Sequence, residues 1–551
     1  MRGSILLVIS VLMVYGYCVS FKFLTWDDNF NIYANPPLLA GAVRYFWTSF
    51  YYNLYIPLAY TVWCLLAFGT QRPDPLPYHL VNLLLHALNT VEVFLILKLL
   101  LERSGKRPTE LGREQVRYDT AAWIGAFLFA IHPVQVETVA WASGLRDLLS
   151  ASFGLGATSI CLKYSPKILS RNCLAAVLLI FGILAKPSIG PLPIAWLMWD
   201  ILLFQREWKT SLQRFLITLL PALPFVQLSR LAQSSELFTH WVAPWYLRPI
   251  IALDTLGFYL IKLFLPLHLA VDYGRSAEWV ITQFSFIPTI LLVLIVVGGA
   301  YFFRKRIGWI PITGFLFSII LLIPVSGILP FAFQANSTVA DHYLYIPLLG
   351  ISLAFSYLLL KVPLKATLTL GITGCLLFFF VLRTELRLPT WENEKTFYTQ
   401  WVRDNPESHM GYSGLAAVAF MAGDLESSER LYRETLKLVP YDPVAVANIG
   451  EIYVRRQQYA RALEEVTPYL KDPEFQKWNR TRDHHMSFVY RAAGFGYQGV
   501  GLVEEAYKYF CQSIRLSTYS ASLMAHAGGV AAQVAAEGKS CHAVPDFVVH
   551  K

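Results

Sequence analysis

The chain has 551 residues, of which 55% are hydrophobic and only 15% charged, where a soluble domain carries about a quarter charged residues. With a mean hydropathy of +0.45, this composition argues against a disordered chain, a collagen-like fibre or a purely soluble enzyme. The formal net charge of +9 belongs, in a membrane protein, to cytoplasmic loops rather than to nucleic acid. The seven cysteines are scattered with no Cys-x-x-Cys pair, so no zinc site is indicated.

A spanning helix needs about 20 mostly apolar residues. Residues 5–21 qualify, and no small-x-small cleavage site follows them, so they read as an uncleaved first span. Further candidate spans lie near 79–100, 120–131, 148–162, 173–185, 190–204, 215–228, 286–303, 309–328, 344–360 and 366–382. Another apolar stretch, 250–271, carries Asp254, Lys262 and His268. Basic residues cluster around Arg103–Arg117, Lys163–Arg171, Arg206–Arg214, Arg304–Arg306 and Lys361–Lys365, whereas 24–75 contains only Arg44 and Arg72 among Lys and Arg. All five basic loops fall on one side only if 250–271 does not fully cross. That parity predicts eleven spans, with the N-terminus cytoplasmic and the C-terminus outside.

Long apolar runs stop near residue 384, which divides the chain into a membrane domain, 1–384, and a tail, 385–551. In the tail Gly450, Tyr453 and Ala462 recur with the same spacing as Gly494, Tyr497 and Ala506. Pro406 and Pro440 lie 34 residues apart, and an earlier, degenerate copy has Ala416 and Ser428 at the small positions. Small residues where two helices touch and a closing proline are the pattern of tetratricopeptide repeats. By parity this solenoid faces the periplasm or lumen.

Ionisable residues gather at the outer ends of the spans, where charge costs less than at mid-membrane. The first outer loop opens Trp26-Asp27-Asp28-Asn29. Adjacent carboxylates there can hold a divalent cation, magnesium or manganese, or one can act as a general base whose pKa its neighbour raises. The second outer turn, I-H-P-V-Q-V-E-T-V-A-W-A-S-G-L-R-D, confines His132, Glu137, Arg146 and Asp147 between two spans. His79, Asn82, His86 and Asn89 share one helical face, with Asn89 suited to joining helices and His79 to lining a site. Lys186, in A-K-P-S, is an isolated cation beside lipid headgroups and suits a phosphate; snorkelling is its plain alternative. V-D-Y-G-R supplies Asp272 and Arg275, and A-D-H-Y-L-Y-I-P supplies Asp341, His342 and Tyr343. Each cluster alone has a plain structural reading, a solvated loop start for Asp27-Asp28 and a salt-bridge cluster for the second turn; together they form one charged ring on one face.

Through W-D-D-N-F-N-I-Y, H-L-V-N-L-L-L-H-A-L-N, H-P-V-Q-V-E-T-V-A-W-A-S-G-L-R-D, L-A-K-P-S, F-Y-L-I-K-L-F-L-P-L-H-L-A-V-D-Y-G-R and A-D-H-Y-L-Y-I-P, the chain resembles the transmembrane and tetratricopeptide repeat-containing O-mannosyltransferase-like family and its bacterial relatives. The resemblance covers nearly the whole chain, with a shorter repeat tail than in animal members. It implies an all-α GT-C glycosyltransferase domain followed by the repeats, with a polyprenyl-phosphate sugar donor and inversion at the anomeric carbon. It also places the base on the acidic motif of the first outer loop, here Asp27 or Asp28.

On that reading Asp28 or Asp27, with Glu137 in reserve, takes the proton of an acceptor hydroxyl, that of a Ser or Thr side chain. Arg146, Lys186 and Arg275 stabilise the departing lipid phosphate. His79, His132, Asp147, Asp272, Asp341, His342 and Tyr343 shape or orient the pocket, and the repeats hold an acceptor polypeptide. The short tail favours a bacterial inner membrane, with the endoplasmic reticulum membrane as the eukaryotic equivalent. The rival readings are a transporter, which calls for charges at the bilayer midplane, and a membrane scaffold or assembly factor that binds partners through its repeats without catalysis.

Overall fold

The computed structural model describes residues 2–104, 113–233, 242–361, 366–479 and 483–516. Lys106, Arg107 and Lys365 of the basic clusters lie outside them. Among the described residues every regular element is a helix, and the single β feature is an isolated bridge between Tyr51 and Leu54. The chain is an all-α polytopic membrane protein with a helical repeat region, and it divides into two compact units, Met1–Phe397 and Tyr398–Lys551.

The first unit continues past the composition change at 384 for a visible reason. The Glu392 carbonyl accepts from the Lys22 amide at 3.0 Å, and Glu394 Oε1 accepts from the Thr25 amide at 3.1 Å. Trp391 packs on Trp141 with ring centroids 6.0 Å apart. These contacts fasten the end of the last apolar helix and the residues after it to the loop after the first helix and to the turn at Trp141.

Helix occupies each of the eleven expected apolar stretches. Arg2–Ser20, Pro75–Arg103, Phe286–Ile307 and Thr367–Trp391 are long and apolar enough to cross a membrane singly. Gln115–Ile131 with Pro133–Ala140, and Trp208–Leu219 with Leu223–Ala232, qualify as pairs bent by 49° and 41°. Pro57–Leu66, Leu169–Ala185, Pro187–Leu203, Trp309–Val325 and Leu348–Lys361 are apolar but shorter, at 10–17 residues, which at ~1.5 Å per residue is less than a ~30 Å hydrocarbon core. Length therefore supports four to six spans; the expected eleven rests on the charge pattern.

Proline explains several of these breaks. A residue before proline is pushed out of the helical region, and His132 (ψ 131°) and Lys186 (ψ 121°), each followed by proline, are extended. The same rule that shortens the helices thus delivers two expected site residues to breaks between them. Where helices must touch closely, small residues meet. A Cβ on Gly350 would stand 2.1 Å from the Gly314 carbonyl oxygen, and one on Gly314 2.4 Å from that of Gly350.

The second unit contains helical hairpins His409–Met421/Leu425–Leu438, Pro443–Arg455/Tyr459–Lys471 and Asp483–Gly499/Val503–Leu516. Pro473–Trp478 forms a short helix of its own between the second and third. Ser408, Asp424 and Asp442 cap helix starts by accepting amide hydrogens. Gly450 leaves room for Val466, and Gly494 for Phe510, while Ala462 and Ala506 are buried. In the degenerate copy Ser428 Oγ donates to the Ala416 carbonyl at 2.9 Å, so a hydrogen bond holds the same two helices together. Burial alone would raise the Glu429 carboxyl, but hydrogen bonds from Tyr453, Arg456 and Arg433 outweigh it and hold the group at about 2.

Candidate active site

Asp27 and Asp28 face different partners. Asp28 is fully buried: its Oδ1 accepts from the Ser143 amide at 3.0 Å and hydroxyl at 2.5 Å, and its Oδ2 from the Leu24 amide at 2.9 Å. Burial pushes its carboxyl up to about 7 against the pull of those hydrogen bonds. Asp27 has a left-handed backbone, φ 63°, which Asp tolerates better than most residues. Its side chain is 41% exposed and its Oδ2 lies 3.1 Å from Arg146 Nη2. The expected chelate of a divalent cation does not fit this donor set, because Asp28 has committed both oxygens to protein donors and Asp27 is paired to a cation. Among the described residues no group of three or more His, Cys, Asp or Glu is placed to hold a metal ion.

The turn that runs from His132 to Asp147 supplies the next wall. Glu137, on the short helix Val136–Ala140, places Oε1 2.7 Å from His342 Nδ1 and accepts from the His342 amide through Oε2 at 3.3 Å. The turn Ala142–Gly144 then leads into the helix Leu145–Lys163. A Cβ on Gly144 would stand 2.1 Å from the Thr138 carbonyl oxygen, so only glycine closes this turn. Arg146 and Asp147 occupy the first turn of that helix. The Arg146 guanidinium lies 5.0 Å from the Trp141 ring centroid, and its Nε has no partner among the described residues. Asp147 Oδ1 pairs with Lys186 Nζ at 2.5 Å, both groups largely buried. Lys186 Nζ also stands 5.4 Å from the Tyr343 ring.

The turn Asp341–Leu344 closes the constellation. Tyr273 donates to Asp341 Oδ1 at 2.6 Å, and burial, with the nearby Glu137 charge, raises the Asp341 carboxyl to about 7. Burial, reinforced by Lys186, lowers the His342 imidazole well below its ordinary value, so the His342–Glu137 contact holds a neutral ring. A small, partly open cleft is lined by Asp147, Lys186, Ser188, His342 and Tyr343 together with the apolar Leu321, Val325 and Ile346.

Four expected residues are placed elsewhere. His132 uses Nε2 at 3.0 Å from the Leu263 carbonyl, and its Nδ1 accepts from the Val134 amide at 3.4 Å; both nitrogens are spent on backbone. Arg275 Nη2 is held by Asp254 at 2.7 and 2.8 Å and by Ser285 at 3.2 Å, and the residue is not among those lining the cleft. Asp272 is buried and accepts from the Gly274 amide at 2.8 Å, shaping its own loop. His79 is buried beside Phe21, ring centroids 6.2 Å apart, and does not line the cleft. The rest of its stripe joins segments: Asn82 Nδ2 donates to the Trp141 carbonyl at 2.8 Å, His86 Nδ1 meets the Tyr345 hydroxyl at 2.8 Å, and Asn89 Nδ2 donates to the Leu148 carbonyl at 3.0 Å.

Sequence reasoning passed over Ser143, Tyr273 and Arg387. Arg387 is buried at the end of the helix Ala366–Arg387, and its charge acts on Glu137 and Asp341. Its signal was a basic residue closing an apolar run, which reads as an ordinary membrane-edge cation.

No protein-family model matches the chain. It is 25% identical over 464 residues to a protein of Caenorhabditis elegans named Protein O-mannosyl-transferase F38B6.6, an overlap of 80% of this chain and 63% of that protein. Over 84 residues it is 39% identical to the human Protein O-mannosyl-transferase TMTC4, covering 15% of this chain and 11% of that one. The chain therefore spans less than two thirds of the length of either curated relative.

Proposed function

We propose that this chain, a relative of the transmembrane O-mannosyltransferase-like proteins, is a membrane-embedded O-glycosyltransferase. The observation that carries the proposal is one partly exposed carboxylate, Asp27, paired with Arg146, whose chain neighbour Asp147 holds a second cation, Lys186. The animal sources of the two relatives favour the endoplasmic reticulum membrane over the bacterial one.

In this reading the donor is a sugar on a polyprenyl phosphate and the acceptor a Ser or Thr hydroxyl at the extracytoplasmic face. Asp27 takes the hydroxyl proton as the acceptor oxygen bonds to the anomeric carbon. The bond from that carbon to the phosphate oxygen breaks, its electron pair stays on the lipid phosphate, and single displacement inverts the centre. Arg146 turns from Asp27 toward the arriving phosphate, which frees the base, and Lys186 adds a second fixed cation. The His342–Glu137 pair and Tyr343 form the sugar wall, and the apolar residues of the cleft take the first isoprene unit. The repeats, read as tetratricopeptide units on a GT-C domain, take the acceptor polypeptide.

Purified wild type should transfer labelled sugar from a polyprenyl-phosphate donor to a Ser/Thr peptide, and folded Asp27→Asn should not. Absence of donor consumption by wild type, or undiminished transfer by Asp27→Asn, would overturn the proposal.

A further inference from the structure

The helix Leu145–Lys163 carries Arg146 and Asp147 in its first turn and a second charged assembly at its last, roughly 27 Å away at ~1.5 Å per residue. Arg214 Nη1 donates to the Cys161 carbonyl at 2.7 Å, and Arg103 donates to the carbonyls of Leu162 and Lys163. Two guanidinium groups thus cap the carbonyls that a helix end leaves unsatisfied. Arg214 also pairs with the buried Asp200, whose other oxygen lies 2.7 Å from Arg206 Nη1. Arg103 and Arg206 both approach the Phe204 ring, at 5.9 and 4.9 Å.

The backbone here is unusual in two ways. Trp199–Leu203 is a π-helical turn, a form that concentrates at functional sites, and Gln205 has φ 49°, a left-handed conformation that costs free energy and needs a compensating gain. Together they fold Arg206 back onto Asp200. Nearby, Lys163 and Arg171 both lie over Tyr164, at 5.8 and 4.4 Å. Asp200 is thus shared between two arginines, and Glu207, next along the chain, accepts from Thr210. Positive charge is in excess. The Arg206 guanidinium uses Nη1 on Asp200, and its side chain is one-fifth exposed. Trp208, 60% exposed, and Leu169, 59% exposed, flank the cations, giving the amphipathic aromatic and the apolar side chain of a membrane–water interface.

We propose that this arginine cluster binds the phosphate headgroup of an anionic phospholipid, with the partly exposed Arg206 as a donor and the exposed Lys163 and Arg171 contributing further positive charge. Basic pockets between membrane helices take such headgroups, and the exposed Trp208 and Leu169 would lie along the acyl chains, which favours a lipid over a free phosphate. The inference is independent of the glycosyltransferase reading.

Thermal unfolding of the full chain in neutral detergent tests it, with phosphatidylglycerol, phosphatidylcholine or inorganic phosphate added in parallel. A ligand bound only by the folded state raises the midpoint, so phosphatidylglycerol should raise Tm by a few degrees more than phosphatidylcholine. Arg206→Gln leaves Asp200 paired with Arg214, and it should lose at least half of that increment. Lys163→Gln, an exposed position, should lose a smaller share and serves if Arg206→Gln does not fold. Equal shifts with both lipids, or a full increment in the folded variants, would overturn the proposal. An equal shift with inorganic phosphate would overturn its lipid part.

Discussion

The Asp27 carboxylate and the Arg146 guanidinium meet at 3.1 Å, while Asp28, the next residue, turns away to Ser143. One neighbour is thereby partly exposed and paired to a cation, and the other is locked into the protein by three hydrogen bonds. The two carboxylates should respond to mutation in opposite ways.

Asp27→Asn is expected to fold and to lose sugar transfer by about 10²–10⁴-fold, the usual worth of a positioned base. Asp28→Asn puts an amide donor against a ring of donors and should lower stability by about 1–3 kcal/mol. Transfer assays and thermal melting on both variants separate the effects. Loss of activity at unchanged melting in Asp28→Asn would reverse the assignment.

Stability should fall with rising pH through Asp28. Its folded carboxyl is raised from the ordinary 3.8 to about 7, so the folded chain holds that proton more tightly than the unfolded chain does. The contribution is fully present below about 3.8, is lost as pH rises through about 7, and is flat above. The unfolding free energy of wild type minus that of Asp28→Asn should therefore shrink from acid to neutral pH. A difference that grows over this range would show that Asp28 is stabilised as a carboxylate.

Lys186→Met should be costly beyond its role in transfer. It leaves Asp147, only 7% exposed, without its cation, and breaking a buried pair from one side costs about 3–5 kcal/mol. Lys186→Met combined with Asp147→Leu should recover much of that stability without restoring transfer. If the double variant melts no higher than the single, the two side chains are not energetically coupled.

Gly144→Ala should disturb the site without touching a charged group. Its Cβ would meet backbone, the Thr138 carbonyl oxygen at 2.1 Å, so the turn carrying Ser143 must shift. Overpacking of this kind costs about 1–3 kcal/mol, and weakened transfer should accompany the lower Tm. Unchanged melting and transfer would mean that the turn yields freely.

The elements at the rim were legible because their causes are local. Proline after His132 and after Lys186 breaks helices, and a glycine and small-residue rhythm marks the repeat hairpins. Even so, His132 and Lys186 satisfy the same local rule and end differently. His132 spends both ring nitrogens on backbone, whereas Lys186 reaches the cleft. Arg275 shows the same limit: a cation in an outer loop looked available, but Asp254, 21 residues earlier, holds it.

Sequence alone determined an all-helical membrane chain, its apolar stretches and its helical repeat region, because hydropathy and helix propensity sum over near neighbours. Only the tertiary structure decided which member of Asp27-Asp28 is exposed, which cations remain available and which carboxylates are spent. Those outcomes depend on partners such as Ser143, 115 residues from Asp28, and on a left-handed backbone at Asp27. A buried charge is fixed by whichever donor reaches it first in space, and separation along the chain does not record that distance.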